Sequence, residues 1–472
     1  MNKLKITSFL ILMLSISVFA EVYTLEKAIE VALKNNESVE TAEKELEKSN
    51  YVYNEAFSGA LPKIDANITY LRNIYSSKIT NMESYFANFA NGIALVNNTV
   101  MNEHPSAGLT EMPFMEMPDS EIEAMKDNTI KFELNLIQPI WIGGKVGTAL
   151  DIAKIYKEMS QSAFKLEIDK VTLEIKKNFY QILLLDESRK VMALVKKDAY
   201  SNLDKIEKLY KEGLVSEYDI IQARVRVRSI EPKIISLDNY YDLAKEYLKI
   251  NMGLDPKENI EIEGSISATF TPDTVDFYNT ALTNRVELKL LENKRDLLKE
   301  NAKIEFSNHL PSIVGLANYS FQSQTDDFGD TFETNYGVGA FNVGVTANIP
   351  IFNGMGTKAK VDQAQIEVKK SDLEIVKTKK LINLQIKDVV SKMNLAKEEI
   401  ILRDQEIAEY EKALEITQVR YDNGLCTQLE VTSAQTALES SRLDKINTVH
   451  QYVTALIDLE AATGLVTNME YK

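Results

Sequence analysis

Apolar positions along this chain recur with two different periods, and the switch from one to the other happens twice. In "KIDANITYL" Ile64, Ala66, Ile68 and Tyr70 alternate with Asp65, Asn67 and Thr69, the two-residue period of a strand with one apolar face. In "KFELNL" Phe132, Leu134 and Leu136 oppose Lys131, Glu133 and Asn135, and in "FNVGVTANI" Phe341, Val343, Val345, Ala347 and Ile349 oppose Asn342, Gly344, Thr346 and Asn348. A fourth segment, "SIVGLANYSF", alternates less cleanly. Together they predict strands over 63–71, 130–141, 312–321 and 340–352. Helices are predicted before the first and third strands, over Leu25–Phe57 and Asp276–Phe306.

After Gly143 and Gly354 the period becomes helical. Phe164, Ile168, Val171, Ile175, Phe179 and Ile182, then Val195, Ala199, Leu203, Ile206 and Tyr210, follow the three-and-four spacing of a coiled-coil seam. Ile386, Met393, Ala396, Ile400, Ile407, Tyr410, Leu414 and Tyr421 do the same later. A helix over Lys145–Lys211 would be about 100 Å long at a rise of 1.5 Å per residue, more than a compact domain needs. Each long helix reverses at a glycine, Gly213 or Gly424, and a return helix closes at Gly253 or Gly464. Pro232 lies in the first return helix, where a kink is expected.

The two halves are one unit repeated. "YKEGLVSEYDIIQA" at 210–223 and "YDNGLCTQLEVTSA" at 421–434 share a tyrosine, the Gly-Leu pair, a hydroxyl residue, an acid and the alanine at an offset of 211 residues. The same offset superposes Pro139 on Pro350 and Gly253 on Gly464. Upstream, "ALKN" and "ALTN" and the two Leu-Pro pairs align at an offset of 249, so the first copy carries 38 extra residues between Pro62 and Pro139. The expected organisation is an export signal at 1–20, a first repeat at 21–253 and a second at 254–472.

Composition narrows the classes. The opening "MNKLKITSFLILMLSISVFAEV" has the basic start, short apolar stretch and small residues of an export signal cleaved after Ala20. No later run reaches the roughly 18 apolar residues of a membrane helix, which excludes a helical membrane protein. The single cysteine, Cys426, excludes an internal disulfide framework, and none stands at the cleavage site to take a lipid. A net charge of −16 argues against nucleic acid as a partner, and 18 Gly and 10 Pro among dense Lys and Glu fit long helices.

Four two-faced strands of about ten residues match the length that crosses a bilayer in a tilted barrel. Four strands cannot close, and open edges in lipid leave backbone groups unpaired at several kcal/mol each, so the chain must assemble. Physics requires an oligomer without choosing its number. The alternative reading is an exported coiled-coil scaffold or adhesin whose strands pair in a soluble assembly.

The duplication, the "QPIW" and "IPIF" strand ends, the two Gly-Leu turns and the closing "ATG" resemble the TolC-type outer-membrane efflux proteins, over nearly the whole mature chain. The resemblance implies a transmembrane β-barrel with four strands per chain, closed by trimerisation, joined to an all-α coiled-coil helical barrel. It further implies a passive exit duct in the outer membrane of a Gram-negative-type bacterium, with a long periplasmic part. Its partners would be outer-membrane lipid, a periplasmic membrane-fusion adaptor and an inner-membrane transporter, in efflux or in type I protein secretion, with no cofactor.

By the same resemblance the turns are periplasmic tips that meet the adaptor through Gly213, Leu214, Val215, Gly424, Leu425 and Cys426. The family motif resembles Val-Gly-Leu, whereas the residue before glycine here is Glu212 or Asn423. Asp219 and Tyr421 fall at positions that hold the tip closed, and Glu430 and Ser433 at positions of an acidic constriction, while Cys426 stands where a basic latch is expected. Local chemistry has its own claim on these turns. Ser216 and Thr427 are N-cap residues, and "TQLE" is a capping box with Glu430 at its third helical position.

The 38-residue excess is expected to be an exposed loop. It gathers Met101, Met112, Met115, Met117 and Met125 near His104, and thioethers can hold Cu(I), although free use of methionine explains them equally. His104, His309 and His450 are scattered, and no nucleophile motif or metal-ligand cluster points to catalysis. "GGKVG" at 143–147 lacks the spacing of a phosphate loop and reads as a strand-to-helix turn.

Overall fold

A computed structural model of the chain describes residues 21–74, 78–80, 82–116, 121–123, 126–268, 276–332 and 337–466. The export signal, Met117 and Met125 lie outside them. In chain order the elements are β1 (Glu21–Tyr23), α1 (Leu25–Asn35), α2 (Glu37–Ser58), β2 (Lys63–Arg72), β3 (Lys78–Thr80), α3 (Met82–Glu103), β4 (Glu121–Glu123), β5 (Asn128–Ile142) and α4 (Lys145–Lys211). There follow α5 (Glu217–Asn251), β6 (Ile260–Ile262), α6 (Phe277–Asn284), α7 (Val286–Ser307), β7 (Ser312–Thr325), β8 (Gly337–Asn348), α8 (Gly356–Asp422) and α9 (Gln428–Thr463). The chain divides into two compact units, one built from the segments up to Asn54, Asp151–Ala302 and from Asp362 onward, the other from Glu55–Leu150 and Lys303–Val361.

The first unit is helical. α4 and α8 each run 67 residues, and each returns through a shorter helix, α5 or α9. The apolar stripe read from the sequence becomes its core: Val171, Ile175, Phe179 and Ile182 of α4 pack with Leu248 of α5, Ala28 and Ala32 of α1, and Tyr23 and Ile260 of the short parallel pair β1–β6. Val389, Met393, Ala396 and Ile400 of α8 pack in the same way on Val449, Tyr452 and Leu456 of α9. Pro232 does not end α5, which is helical on both sides of it.

The continuous helices expected over 25–57 and 276–306 are each broken in two, at Asn36 and at Arg285. Asn36 serves both fragments: its backbone N–H closes α1 on Ala32 O, and its side-chain Oδ1 accepts from Ser38 N at 2.9 Å to start α2. Its Nδ2 also donates to Asn251 O at the end of α5 (2.8 Å). The breaks lie where the return helices terminate. Gly253 has φ +67° and an added Cβ would meet Asn35 O at 2.4 Å; Gly464 has φ +72° and its Cβ would meet the Asn284 carbonyl carbon at 2.8 Å. Only glycine gives both the left-handed turn and the space.

The second unit holds a four-stranded antiparallel sheet in the order β2-β5-β7-β8. Its register aligns the alternations into rows. Ile64, Leu136, Ala317 and Val343 lie side by side, as do Ala66, Leu134, Tyr319 and Phe341, and these rows make an apolar face. Asp65, Asn135, Asn318 and Asn342 make the neighbouring polar row, in which Asn318 Nδ2 donates to Asn135 Oδ1 at 2.6 Å. Among the described residues the outer edges of β2 and β8 pair with no further strand, and both strands are exposed over nearly all their length.

Strand ends differ from expectation for physical reasons. The last strand stops at Asn348 rather than 352 and so ends before Pro350, which has no N–H for a ladder. β5 instead passes through Pro139, and the register shifts between Pro139 and Trp141. β7 extends to Thr325 because its last residues pair with Asn128–Lys131.

The 38-residue excess is not a simple loop. It forms the 22-residue helix α3 and the small antiparallel pair β3–β4. Asn91 and Asn98, seven residues apart, each exchange two hydrogen bonds with backbone of the following extended segment: Asn91 with Met115, Asn98 with Met112. Two of the methionines considered for Cu(I) are thus held through their backbones by asparagine. Among the described residues no group of His, Cys, Asp or Glu is placed to hold a metal ion.

Candidate functional site: the two helical tips

Both turns end their long helix with the same pair of hydrogen bonds. Gly213 N donates to Tyr210 O (3.0 Å) and Leu214 N to Leu209 O (2.9 Å); Gly424 N donates to Tyr421 O (2.9 Å) and Leu425 N to Arg420 O (2.8 Å). This double closure requires the residue after the helix to be left-handed, and φ is +73° at Gly213 and +70° at Gly424. Nothing lies within 4 Å of a Cβ added to either glycine, so the turns face open space. Leu214 and Leu425 project from them 67% and 68% exposed. Val215 turns the other way and packs with Ile206, Ile220 and Ala223, and Cys426 is half-buried, its Sγ 3.4 Å from Thr417 O.

Each return helix starts with a capping box. At the first tip Ser216 Oγ accepts from Asp219 N, and Asp219 Oδ2 accepts from Ser216 N at 3.0 Å. At the second, Thr427 Oγ1 accepts from Glu430 N, and Glu430 Oε1 accepts from Thr427 N at 3.2 Å. Asp219 and Glu430, the two acids singled out for closure and constriction, are therefore also the residues that begin α5 and α9. Ser433 is exposed and donates back to Leu429 O (2.9 Å).

Tyr421 senses charge from both tips. Burial pushes its phenol above the ordinary value, and the charge of Asp219, on the other hairpin, adds to the rise with those of Asp422 and Cys426. Its hydroxyl is buried and makes no hydrogen bond in the described structure. Burial, reinforced by Glu430 and partly offset by Arg420, also pushes the Cys426 thiol up, which opposes a reactive thiolate.

Three charged residues at the tips were not singled out by sequence. Lys205 of α4 binds Asp422 at the end of α8, joining the hairpins. Arg420 donates to Leu425 O (3.3 Å) and stands 3.9 Å from Glu430 Oε2. It supplies a cation near the place where the resemblance leaves Cys426. The available signal was a cation in the last turn of a helix, where the helix dipole favours it. Nothing in the sequence marked its reach across the turn.

Higher on the hairpins the Arg226–Glu439 and Lys176–Glu460 links are buried, whereas Lys177–Asp458 lies at the surface. Glu439 of α9, 3% exposed, accepts from Arg226 Nη2 (2.5 Å) and Lys233 Nζ (2.8 Å) of α5. Burial would raise its carboxyl, but these two cations outweigh burial and hold it below the usual range. Lys176 of α4 and Glu460 of α9 meet at 2.7 Å, and Lys177 and Asp458 at 2.6 Å.

The family model "Outer membrane efflux protein" matches residues 28–253 and 277–465. The chain is 19% identical over 333 residues to the outer membrane protein TolC of Vibrio cholerae, covering 68% of this chain and 74% of that protein. Its fold resembles the solved structure of CusC, with a TM-score of 0.72 over 93% of this chain and 92% of that one at 15% identity. It also resembles VceC of Vibrio cholerae, with a TM-score of 0.70 over 93% and 96% at 17% identity. No described helix is long and apolar enough to cross a membrane, while a two-faced sheet and long hairpins run through both matched segments. With the model matched over most of its length, this chain belongs to the outer membrane efflux protein family.

Proposed function

We propose that this outer-membrane efflux protein is a passive exit duct, completed when three copies join their sheets into a twelve-stranded barrel and their hairpins into a helical tunnel. The observation that carries this reading is the sheet, with one apolar face, one polar face and, among the described residues, two unpaired edges. In lipid such edges are stable only when paired, and the alternation puts an apolar surface outside and a polar one inside. The periplasmic adaptor would dock on Leu214 and Leu425, which stand out from turns that nothing else covers. An inner-membrane transporter would supply both energy and cargo.

Asp219 and Tyr421 would hold the tips together, and Glu430 with Ser433 would border the constriction. Three Glu430 carboxylates around one axis would attract divalent cations. The test is single-channel current in planar bilayers, with migration on gels before and after boiling as the check on assembly. A conducting oligomer is expected, blocked by divalent cations less strongly after Glu430→Gln. A water-soluble product without conductance would remove the duct; unchanged block in the variant would remove Glu430 from the pore.

A further inference from the structure

The helix α3 presents two faces of opposite character. Ala87 and Ala94 are buried, and Asn91 and Asn98 on the same side are tied to the extended segment that follows. Nearly opposite, Phe86, Phe89, Ile93, Val96 and Val100 are all exposed, the first two by 67% and 71%. Their spacing alternates three and four residues over two heptads, with Phe86, Ile93 and Val100 at one seam position and Phe89 and Val96 at the other. A helix whose one side is satisfied by its own chain and whose other side is a bare heptad stripe is half of an interface.

We propose that this stripe is a self-association seam, packing against α3 of neighbouring copies of this chain. Charge disfavours a lipid surface as the occupant. From 82 to 116 there is no Lys or Arg, while Glu83, Glu103, Glu111 and Glu116 flank the helix and its tied segment. Helices that lie on membranes combine an apolar face with basic residues drawn to anionic headgroups, and this one would be repelled. Between Glu83 and Glu103 it is uncharged, so helices can approach one another without burying an ion. The β-branched Val96 at the second seam position favours more than two strands, where a pair would prefer Leu.

The seam continues an interface that the duct already requires. α3 begins ten residues after Arg72, at the end of β2, whose open edge is where a neighbour's strand must add. The connection between β7 and β8, only 326–336, has no room for a counterpart, so each copy contributes one such helix. This inference rests on the proposed assembly and adds to it a contact beyond the strands, made of residues that the second repeat lacks.

Thiol cross-linking in outer-membrane fractions tests it. In a Cys426→Ser background, Ile93→Cys is compared with Thr99→Cys, which is exposed but off the stripe. Treatment with a short bismaleimide is followed by gels run with and without boiling. The expected result is a covalent dimer of the chain from Ile93→Cys, several-fold more than from Thr99→Cys. Unlinked Ile93→Cys in a chain that still migrates as a heat-sensitive oligomer overturns the seam and leaves the duct standing. Equal linking at both positions also overturns it, since no face would be distinguished. A chain that is monomeric before boiling overturns the seam and the assembled duct together.

Discussion

The two ends of the helical hairpins are built on the same left-handed glycine, with φ between +67° and +73° at Gly213, Gly253, Gly424 and Gly464, yet they are packed in opposite ways. At the roots, Gly253 and Gly464 press on the last carbonyls of α1 and α6. At the tips, a Cβ added to Gly213 or Gly424 would meet nothing within 4 Å. The charges follow the same division, with Glu439 buried between Arg226 and Lys233 along the shaft, and Lys205 and Asp422 half-exposed near the tips. Packing fixes the hairpins along their shafts and at their roots. Within the first hairpin the tip keeps a small apolar cluster under Val215, but between the hairpins the described tip residues are linked by the surface ion pair of Lys205 and Asp422, which is where a partner could change their arrangement at small cost in free energy.

Substitutions can break this contrast, and the largest effect is expected on the shaft. Glu439→Ala leaves buried Arg226 without its carboxylate and should destabilise the helical unit by about 3–5 kcal/mol, seen as an earlier thermal loss of helical circular dichroism. Next comes Gly253→Ala, which adds steric overlap with Asn35 O to the cost of a left-handed alanine, together about 3 kcal/mol. Gly213→Ala has the same backbone cost and open space around it, so about 1 kcal/mol is expected, and equal losses at 213 and 253 would erase the distinction between root and tip.

The smallest effect is electrostatic. The hydrogen bond from Lys205 holds the Asp422 carboxyl below its ordinary value, against a lesser upward push from burial. A carboxyl lowered by folding contributes stability that is present above its unfolded value, about 3.9, and is lost as pH falls through the folded one. Amide exchange over 416–423 should therefore be flat from neutral pH to about 5, after correction for intrinsic rates, and show loss of protection below about 4. Asp422→Asn should abolish that acid-side change.

Sequence reading went furthest where a pattern extends over many residues. The seam from Phe164 to Tyr210 and the Gly-Leu turns carry their own periodicity and turn chemistry, and α4 runs over Lys145–Lys211 with Gly213 left-handed beyond it. "TQLE" likewise announced the Thr427–Glu430 cap. What escaped notice depends on contacts distant in sequence. The breaks at Asn36 and Arg285 sit where Gly253 and Gly464 return 217 and 179 residues later, which no local window can sense. The three-residue strands β1 and β6 are too short to show a period. α3 was hidden by its own composition: asparagines read as turn formers, whereas here Asn91 and Asn98 spend their amides on the backbone of the next segment. At the tips, Asp219 and Glu430 were visible as acids, but Arg420 and Lys205 gain meaning only from the neighbours that folding gives them.

In the proposed duct the row of Asp65, Asn135, Asn318 and Asn342 would bear on friction at the wall. Three of the row's four members are carboxamides, which keep a surface wetted without imposing a sign on it; Asp65 adds the row's one charge, and the nearby Lys131 and Glu133 offset one another at 2.7 Å. If the proposed assembly turns this face inward, a solute would pass a wetted lining of low charge density, and discrimination among cargoes would have to be exercised before they reach this stretch.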